Sequence, residues 1–121
     1  MQNKVYLDDQ GIIVIEVIGD QTEESVEHMG QEANQLITEQ RKLGKRTVIL
    51  DNILQMGSVG PEARKLVVEL GKRLDYDKAA LLGKGGIMRL GTTLMLHATR
   101  QTSKLKYFDD EQEARTWLLA A

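Results

Sequence analysis

The sequence predicts a single α/β domain built on a mixed, mostly parallel sheet of five strands that four helices cover. Short runs of apolar and β-branched residues alternate with longer segments whose apolar residues recur every three or four positions, which is typical of strands alternating with helices. At 121 residues, with 41% hydrophobic and 28% charged residues, the chain also has the size and composition of one globular domain. The predicted order is β-β-α-β-α-β-α-β-α, in one domain over residues 1–121.

The first two strands are predicted to form an antiparallel hairpin at one edge of the sheet. Residues 5–7 and 12–18 are rich in β-branched and apolar side chains. They are separated by Asp8-Asp9-Gln10-Gly11, whose residue types suit a tight turn.

The first helix is expected to begin near Asp20, because Asp20 and Glu23 resemble a capping box. Apolar residues then recur at helical spacing until Gly44 ends the pattern. These residues are Val26, Met29, Ala33 and Ile37.

A buried central strand and a second helix come next. Residues 47–50 are apolar and too few for a helix, and the strand is expected to end at Asp51-Asn52. A loop is predicted through residues 57–60, and Pro61, the only proline, suits a first helical turn. The inward face of this helix is predicted to consist of Ala63, Leu66, Val67, Leu70 and Leu74.

The last part of the chain repeats the alternation of strands and helices. Residues 79–82 are predicted to form a buried strand, and the glycine-rich turn at residues 83–86 leads into a third helix from Ile87 to about Gln101. Residues 105–108 are predicted to form the final strand, and residues 110–119 the closing helix.

Composition excludes several classes of function. The formal net charge of −2 argues against a nucleic-acid binder, and the absence of cysteine removes disulfides, thiol nucleophiles and thiolate metal sites. No apolar run approaches the length of a membrane span, and residues 1–9 are too polar for a signal peptide. We therefore expect a cytoplasmic protein.

The residues that catalysis or metal binding would need are sparse. His28 lies opposite the apolar stripe of its helix, and His97 is expected to be a half-buried residue of the third helix. No metal-binding spacing links the two histidines. Turn and helix-cap chemistry accounts for the pairs Asp8-Asp9 and Asp109-Asp110. We predict no catalytic residue, no metal and no cofactor.

The glycine-rich turn is a candidate anion site. Glycines between a strand and a helix let backbone N–H groups approach an anion that the helix dipole favours. Lys84, Gly85, Gly86 and Arg89 are the residues predicted to bind it. The alternative is a flexible turn without a ligand, because the sequence has neither the Walker nor the dinucleotide-binding spacing.

A charge asymmetry coincides with the third helix. Residues 78–108 contain six basic and no acidic residues, a charge of +6, whereas the rest of the chain carries −8. The predicted core stripe of the third helix is Ile87, Leu90, Leu94 and Ala98, so that Met88 and Met95 flank the stripe and Leu96 points nearly opposite.

Apolar residues outside the core stripe have three explanations. They form a protein or oligomer interface, they meet a lipid-like ligand or the anionic inner face of a membrane, or they are exposed by chance. The expected contact residues for a ligand or membrane are Met88, Leu94, Met95, Leu96 and His97.

Across most of its length the chain resembles the SpoIIAA-like proteins, which share a fold with anti-sigma-factor antagonist (STAS) domains and are similar to Sec14-type lipid-binding domains. The resemblance is carried by three groups of residues in order. They are Gly11-Ile12-Ile13-Val14 with Gly19 and Thr22, Val48-Ile49-Leu50-Asp51, and Asp109-Asp110-Glu111 with Ala114, Trp117 and Leu118.

The resemblance implies a non-catalytic module that binds a small apolar or amphipathic ligand or, alternatively, a regulatory protein-interaction domain. In antagonist STAS domains an Asp ends the central strand and a Ser-Gly pair shortly afterwards is the phosphorylation switch. Asp51 and Ser58 match those positions, but Ser58-Val59-Gly60-Pro61 replaces the Asp-Ser-Ser-Gly pattern. We therefore expect that Ser58 is not an obligatory phosphorylation switch.

Overall fold

A computed structural model describes residues 2–100 and 103–121, which form a five-stranded sheet and four helices in the predicted order. The strands are β1 (Lys4–Leu7), β2 (Ile12–Gln21), β3 (Val48–Val59), β4 (Lys78–Leu82) and β5 (Leu105–Phe108). The helices are α1 (Glu23–Lys42), α2 (Pro61–Arg73), α3 (Gly86–Thr99) and α4 (Glu111–Leu119). The predicted fold class is confirmed.

Neighbouring strands in the sheet follow the order of the chain, β1-β2-β3-β4-β5. The hairpin of β1 and β2 is antiparallel, and the other pairs are parallel. The carboxyl ends of β3 and β4, where α2 and α3 begin, therefore point to the same edge of the sheet. Ligands of open α/β sheets characteristically bind at that edge.

The core has one layer on each face of the sheet. Alternate side chains of β2 point to opposite faces, so that Ile13 and Ile15 pack towards α1 and α2, whereas Ile12 and Val14 pack towards α4. The third helix joins the first layer through its contacts with α2 and β5. The larger layer is thus covered by three helices, and the smaller one by α4.

The central strand is much longer than predicted. It continues beyond Asp51-Asn52 to Val59, and the loop expected at residues 57–60 is mostly strand. Backbone pairing of Gly19 with Met56 and of Gln21 with Val59 extends the β2–β3 ladder, which contains two register shifts. Pairing with a neighbouring strand overrides the turn-like residue types of this segment.

The capping prediction for α1 is also wrong. Thr22 is the N-cap, with its side chain accepting the Ser25 N–H, and the Ser25 hydroxyl accepts the Thr22 N–H in return. Asp20 is still in β2, where it accepts the backbone N–H of Ser58 at 2.9 Å. Asp20 therefore does not cap α1, and its side chain links β2 to β3 by this hydrogen bond.

The remaining helices begin close to the predicted residues. Pro61 is the first residue of α2, and Asp110 caps α4 by accepting the Glu113 N–H. Thr99 is the last residue of α3, followed by Arg100 with a left-handed backbone (φ 59°), and the predicted end at Gln101 lies outside the described residues.

Candidate functional site

A groove lies between the end of β3 and the start of α2 on one side and the first three turns of α3 on the other. Its volume is about 880 Å³. It brings together seven of the residues that the sequence singled out, although they come from two separate segments. These are Ser58, Lys84, Gly85, Gly86, Met88, Leu94 and Met95.

The third helix is rotated relative to the sequence prediction. Ile87 is 92% exposed and Leu94 64% exposed, and Leu90 and Ala98 are also exposed, so that all four predicted core residues face outwards. Met88 and Leu96, predicted to lie off the core stripe, pack against the larger core layer. The predicted core stripe and the exposed position of Leu96 are therefore wrong.

The inward face of α3 explains this rotation. Its buried residues are Thr92 and Thr99, with Met95 partly buried between them. Threonine carries a methyl group that packs against a core, but its hydroxyl makes it count as polar in a hydrophobic pattern. The expectation that the most apolar face of a helix points to the core therefore gave the wrong orientation, because in this protein that face of α3 is exposed.

The four residues of the predicted anion site at the glycine-rich turn do not lie together. Gly85 has φ 91°, a conformation that glycine adopts readily, and α3 begins without a side-chain cap. Lys84 and the glycines lie on the groove. Arg89 lies elsewhere, because it forms an ion pair with Asp109 (3.2 Å) and lies over the ring of Tyr107 (4.7 Å to the centroid).

Ser58 lies in the exposed end of β3, where Asp20 holds it. The carboxylate of Asp20 accepts the Ser58 N–H, and its hydrogen bonds with Ser58 lower the pKa of Asp20. A Cβ at Gly57 would collide with the Asp20 carboxylate, so glycine allows the two strands to approach closely. Ser58 therefore lies beside a negative charge.

The six basic residues of the segment 78–108 do not form one positive surface. Lys78 donates a hydrogen bond to the Trp117 carbonyl and lies over the indole ring of the same residue. Lys106 lies over the ring of Phe108, and both rings are on the α4 side of the sheet. Lys104 lies over the Tyr76 ring. The positive charge of this segment is therefore distributed over different parts of the surface.

An inner cavity of about 100 Å³ lies under α3, between the sheet, α1 and α2. It is lined by apolar side chains such as Leu70, Met95 and Leu96, and by the carboxyl group of Asp51. Thr92 and Met95 line both this cavity and the groove, so they form a common wall.

Asp51 is the fourth residue of β3, between Ile15 and Leu81 on the neighbouring strands. Its Oδ1 atom is buried and has no hydrogen-bond partner among the described residues. Burial raises the pKa of Asp51 to about 7. The sequence identified Asp51 through the STAS resemblance as the end of a strand, whereas β3 continues beyond it to Val59.

His97 is exposed, so the expectation that it is half-buried is wrong, and it does not line the groove. The groove has lining residues that the sequence analysis did not propose as contacts, notably Met56, Arg64 and Ile87. Ile87 had been assigned to the core, and Met56 belongs to the part of β3 whose pairing was not predicted.

Two features of the described residues bear on other functions. Within residues 2–100 and 103–121, no cluster of three His, Asp or Glu side chains could hold a metal ion. Among the helices of that same part of the chain, none is long and apolar enough to span a bilayer.

Known proteins resemble this chain in sequence pattern and in fold. A family model described as SpoIIAA-like matches residues 12–119. The structure is similar to that of the anti-sigma factor antagonist SpoIIAA in its unphosphorylated form, with a TM-score of 0.68 and 17% identity over 98% of this chain and 99% of that one. It is also similar to an uncharacterized DUF3478-family protein with a SpoIIAA-like fold from Shewanella loihica PV-4, with a TM-score of 0.67 and 20% identity over 96% and 91%. No curated protein matches the chain significantly.

Proposed function

The chain belongs to the SpoIIAA-like family, and on that premise we propose that it is a non-catalytic regulatory module that binds a protein partner through the groove between β3 and α3. The observation that carries this proposal is the exposed apolar face of α3 beside that groove. Ile87, Leu90 and Leu94 form this face, which we call the α3 face.

The α3 face offers binding energy that the isolated domain does not use. Fully burying one such side chain contributes about 1.5 to 3 kcal/mol. Three neighbouring side chains beside a concave groove therefore supply a central apolar contact of the kind that dominates protein interfaces.

The rim of the groove favours an acidic partner. The amino end of α3 lies there, with neither a side-chain cap nor an acidic residue in its first turn. Such an end carries a partial positive charge. Arg64 and Lys84 add two cationic side chains to the same rim. A segment with apolar residues and flanking Asp or Glu has the matching chemistry.

A membrane is a weaker candidate than a protein for this surface. Attraction to anionic lipid depends on several basic side chains near one surface. Arg89 and three of the lysines instead make contacts at other places in the fold. A groove also suits a protruding segment better than a flat bilayer.

A small apolar or amphipathic ligand is a second candidate, favoured by the inner cavity. Its apolar lining and volume of about 100 Å³ suit a molecule of a few non-hydrogen atoms rather than a lipid chain.

The test compares three purified proteins, wild type, Leu94→Glu and Leu43→Glu, as baits in an extract of the source cells. Leu43 is a matched control, because it is 66% exposed and follows the end of α1, whereas Leu94 is 64% exposed beside the groove. We expect one protein to bind wild type and Leu43→Glu but not Leu94→Glu. Binding is then measured with that protein in purified form, and Leu94→Glu should weaken it at least tenfold.

Other outcomes would contradict the proposal. Equal capture by all three baits would show that the α3 face does not contact the partner. Sedimentation with anionic vesicles that Leu94→Glu abolishes would favour the membrane. Self-association that Leu94→Glu abolishes, measured by analytical ultracentrifugation, would identify a second copy of this chain as the occupant.

A further inference from the structure

The inner cavity contains a polar group that the fold itself does not satisfy. The Oδ1 atom of Asp51 is buried without a hydrogen-bond partner, and the cavity that it lines is otherwise largely apolar. Most buried side-chain oxygens have a partner, because an unsatisfied one costs about 1 to 3 kcal/mol and a charged one more. Asp51 is partly exposed as a residue, but its buried, unpartnered Oδ1 atom is a feature that stability does not explain.

The residues around Asp51 provide no balancing charge. Among the described residues that line the cavity, the only other titratable side chain is that of Tyr76, whose hydroxyl donates to the Gly71 carbonyl. No Lys or Arg is among the described lining residues. Among the described lining residues no cationic side chain complements Asp51, and a small cation bound in the cavity would do so.

The volume limits the size of that group. A cavity of about 100 Å³ is several times larger than the roughly 10 to 15 Å³ that one water needs. It is smaller than an engineered cavity of about 150 Å³ that binds benzene, which has six carbon atoms. If the number of non-hydrogen atoms is proportional to the cavity volume, this cavity holds a ligand of about four such atoms.

We propose that this cavity binds a small primary amine, with the ammonium group on the Asp51 carboxylate and the short alkyl body against Leu70, Met95 and Leu96. The ammonium supplies the missing donor and balances the charge. The apolar lining excludes polar ligands of the same size. This site is separate in chemistry from the α3 face and does not depend on the proposed partner.

The probes are n-propylammonium, 1-propanol and propionate, which share a three-carbon body and differ in the charge of the polar end. Each is titrated into the wild-type protein at pH 8 while the methyl resonances of Met95 and Ala79, both of which line the cavity, are followed by NMR. We expect saturable shifts with n-propylammonium at a dissociation constant of about 1 mM, since ligands of this size gain at most about 1.5 kcal/mol per non-hydrogen atom. Propanol should bind at least tenfold more weakly, and propionate should cause no saturable shift.

Two variants locate the site. Asp51→Asn keeps the shape of the side chain and should weaken n-propylammonium binding at least tenfold. Asp9→Asn removes the same charge from an exposed turn and should leave binding unchanged. Binding to wild type should also weaken below about pH 7, as Asp51 becomes protonated. Tyr76 does not contribute to that change, because its pKa is raised to about 12.

Three results would overturn the proposal. They are the absence of saturable shifts with n-propylammonium, equal affinity for 1-propanol, and unchanged affinity in Asp51→Asn. Because the first two come from the wild-type protein, they hold even if a variant fails to fold. None of the three involves a protein partner, so a failure here leaves the proposal for the groove untouched.

Discussion

Replacing Leu96 with Glu should destabilise the domain strongly, whereas the same change at Leu94 should not. Leu96 packs against the larger core layer and lines the inner cavity, although it is only partly buried. The substitution loses about half of the 1.5 to 3 kcal/mol that full burial of a leucine contributes. It also places a carboxylate in apolar surroundings, which adds about 1 to 3 kcal/mol. The expected loss in the free energy of unfolding is therefore about 2 to 4 kcal/mol.

Leu94 lies two residues away on the same helix but is 64% exposed. A surface substitution of this kind changes stability by about 0.5 kcal/mol or less. The helix propensities of Leu and Glu are similar, so the comparison isolates burial.

The assay is thermal and urea unfolding of wild type, Leu94→Glu and Leu96→Glu, followed by circular dichroism. For a chain of this length Leu96→Glu should lower the melting temperature by about 10 °C, and Leu94→Glu by no more than about 2 °C. The reverse pattern would refute the orientation of α3. It would show that the stripe formed by Ile87, Leu90 and Leu94 faces the core, and the α3 face would not exist as a binding surface.

Three further predictions concern Asp51, Gly57 and Ser58. Because the pKa of Asp51 is raised to about 7 in the folded protein from 3.8, the folded state holds the extra proton, and stability should fall as pH rises from about 4 to 7 by on the order of 4 kcal/mol. Urea unfolding of Asp51→Leu across that range should show no such fall, and a fall equal to that of wild type would exclude Asp51 as its source. Gly57→Ala should cost about 1 to 3 kcal/mol, because its Cβ would meet Asp20, whereas Gly91→Ala, with open space around its Cβ, should be neutral or stabilising in a thermal melt. Equal melting temperatures for the two variants would disprove the close approach of β2 and β3. Treatment with a kinase should not change partner binding through Ser58, because Asp20 would repel a phosphate there, and a kinase-dependent change in binding that Ser58→Ala abolishes would disprove the prediction.

Local signals predicted the elements whose own residues specify them. The strand at residues 105–108 is observed with the same bounds, and Pro61 begins α2 as expected. Proline has a fixed φ that suits a first helical turn, and a short apolar run between polar residues has few alternatives to a buried strand. Such preferences do not depend on the rest of the chain.

Elements that depend on a distant partner were predicted poorly. The second half of β3 is a strand because β2 pairs with it, and Asp20 reaches Ser58 across 38 positions of sequence. Nothing within residues 53–59 alternates clearly enough to indicate a strand. Hydrogen bonds between strands are tertiary contacts, so a window along one strand does not contain them.

The candidate site shows the same division. The sequence alone identified the glycine-rich turn, the apolar excess of the third helix and Asp51 as unusual. Only the tertiary structure decided that Ile87 and Leu94 are exposed while Leu96 is inside, that Arg89 is paired with Asp109, and that the Asp51 carboxyl lines a cavity. The physical reason is that a helix with apolar residues on more than one side has no unique inward face until β5 and α2 cover one of them. Likewise, a charge acts through its neighbours in space, and for the segment 78–108 those neighbours come from the loop between α2 and β4, from β5 and from α4.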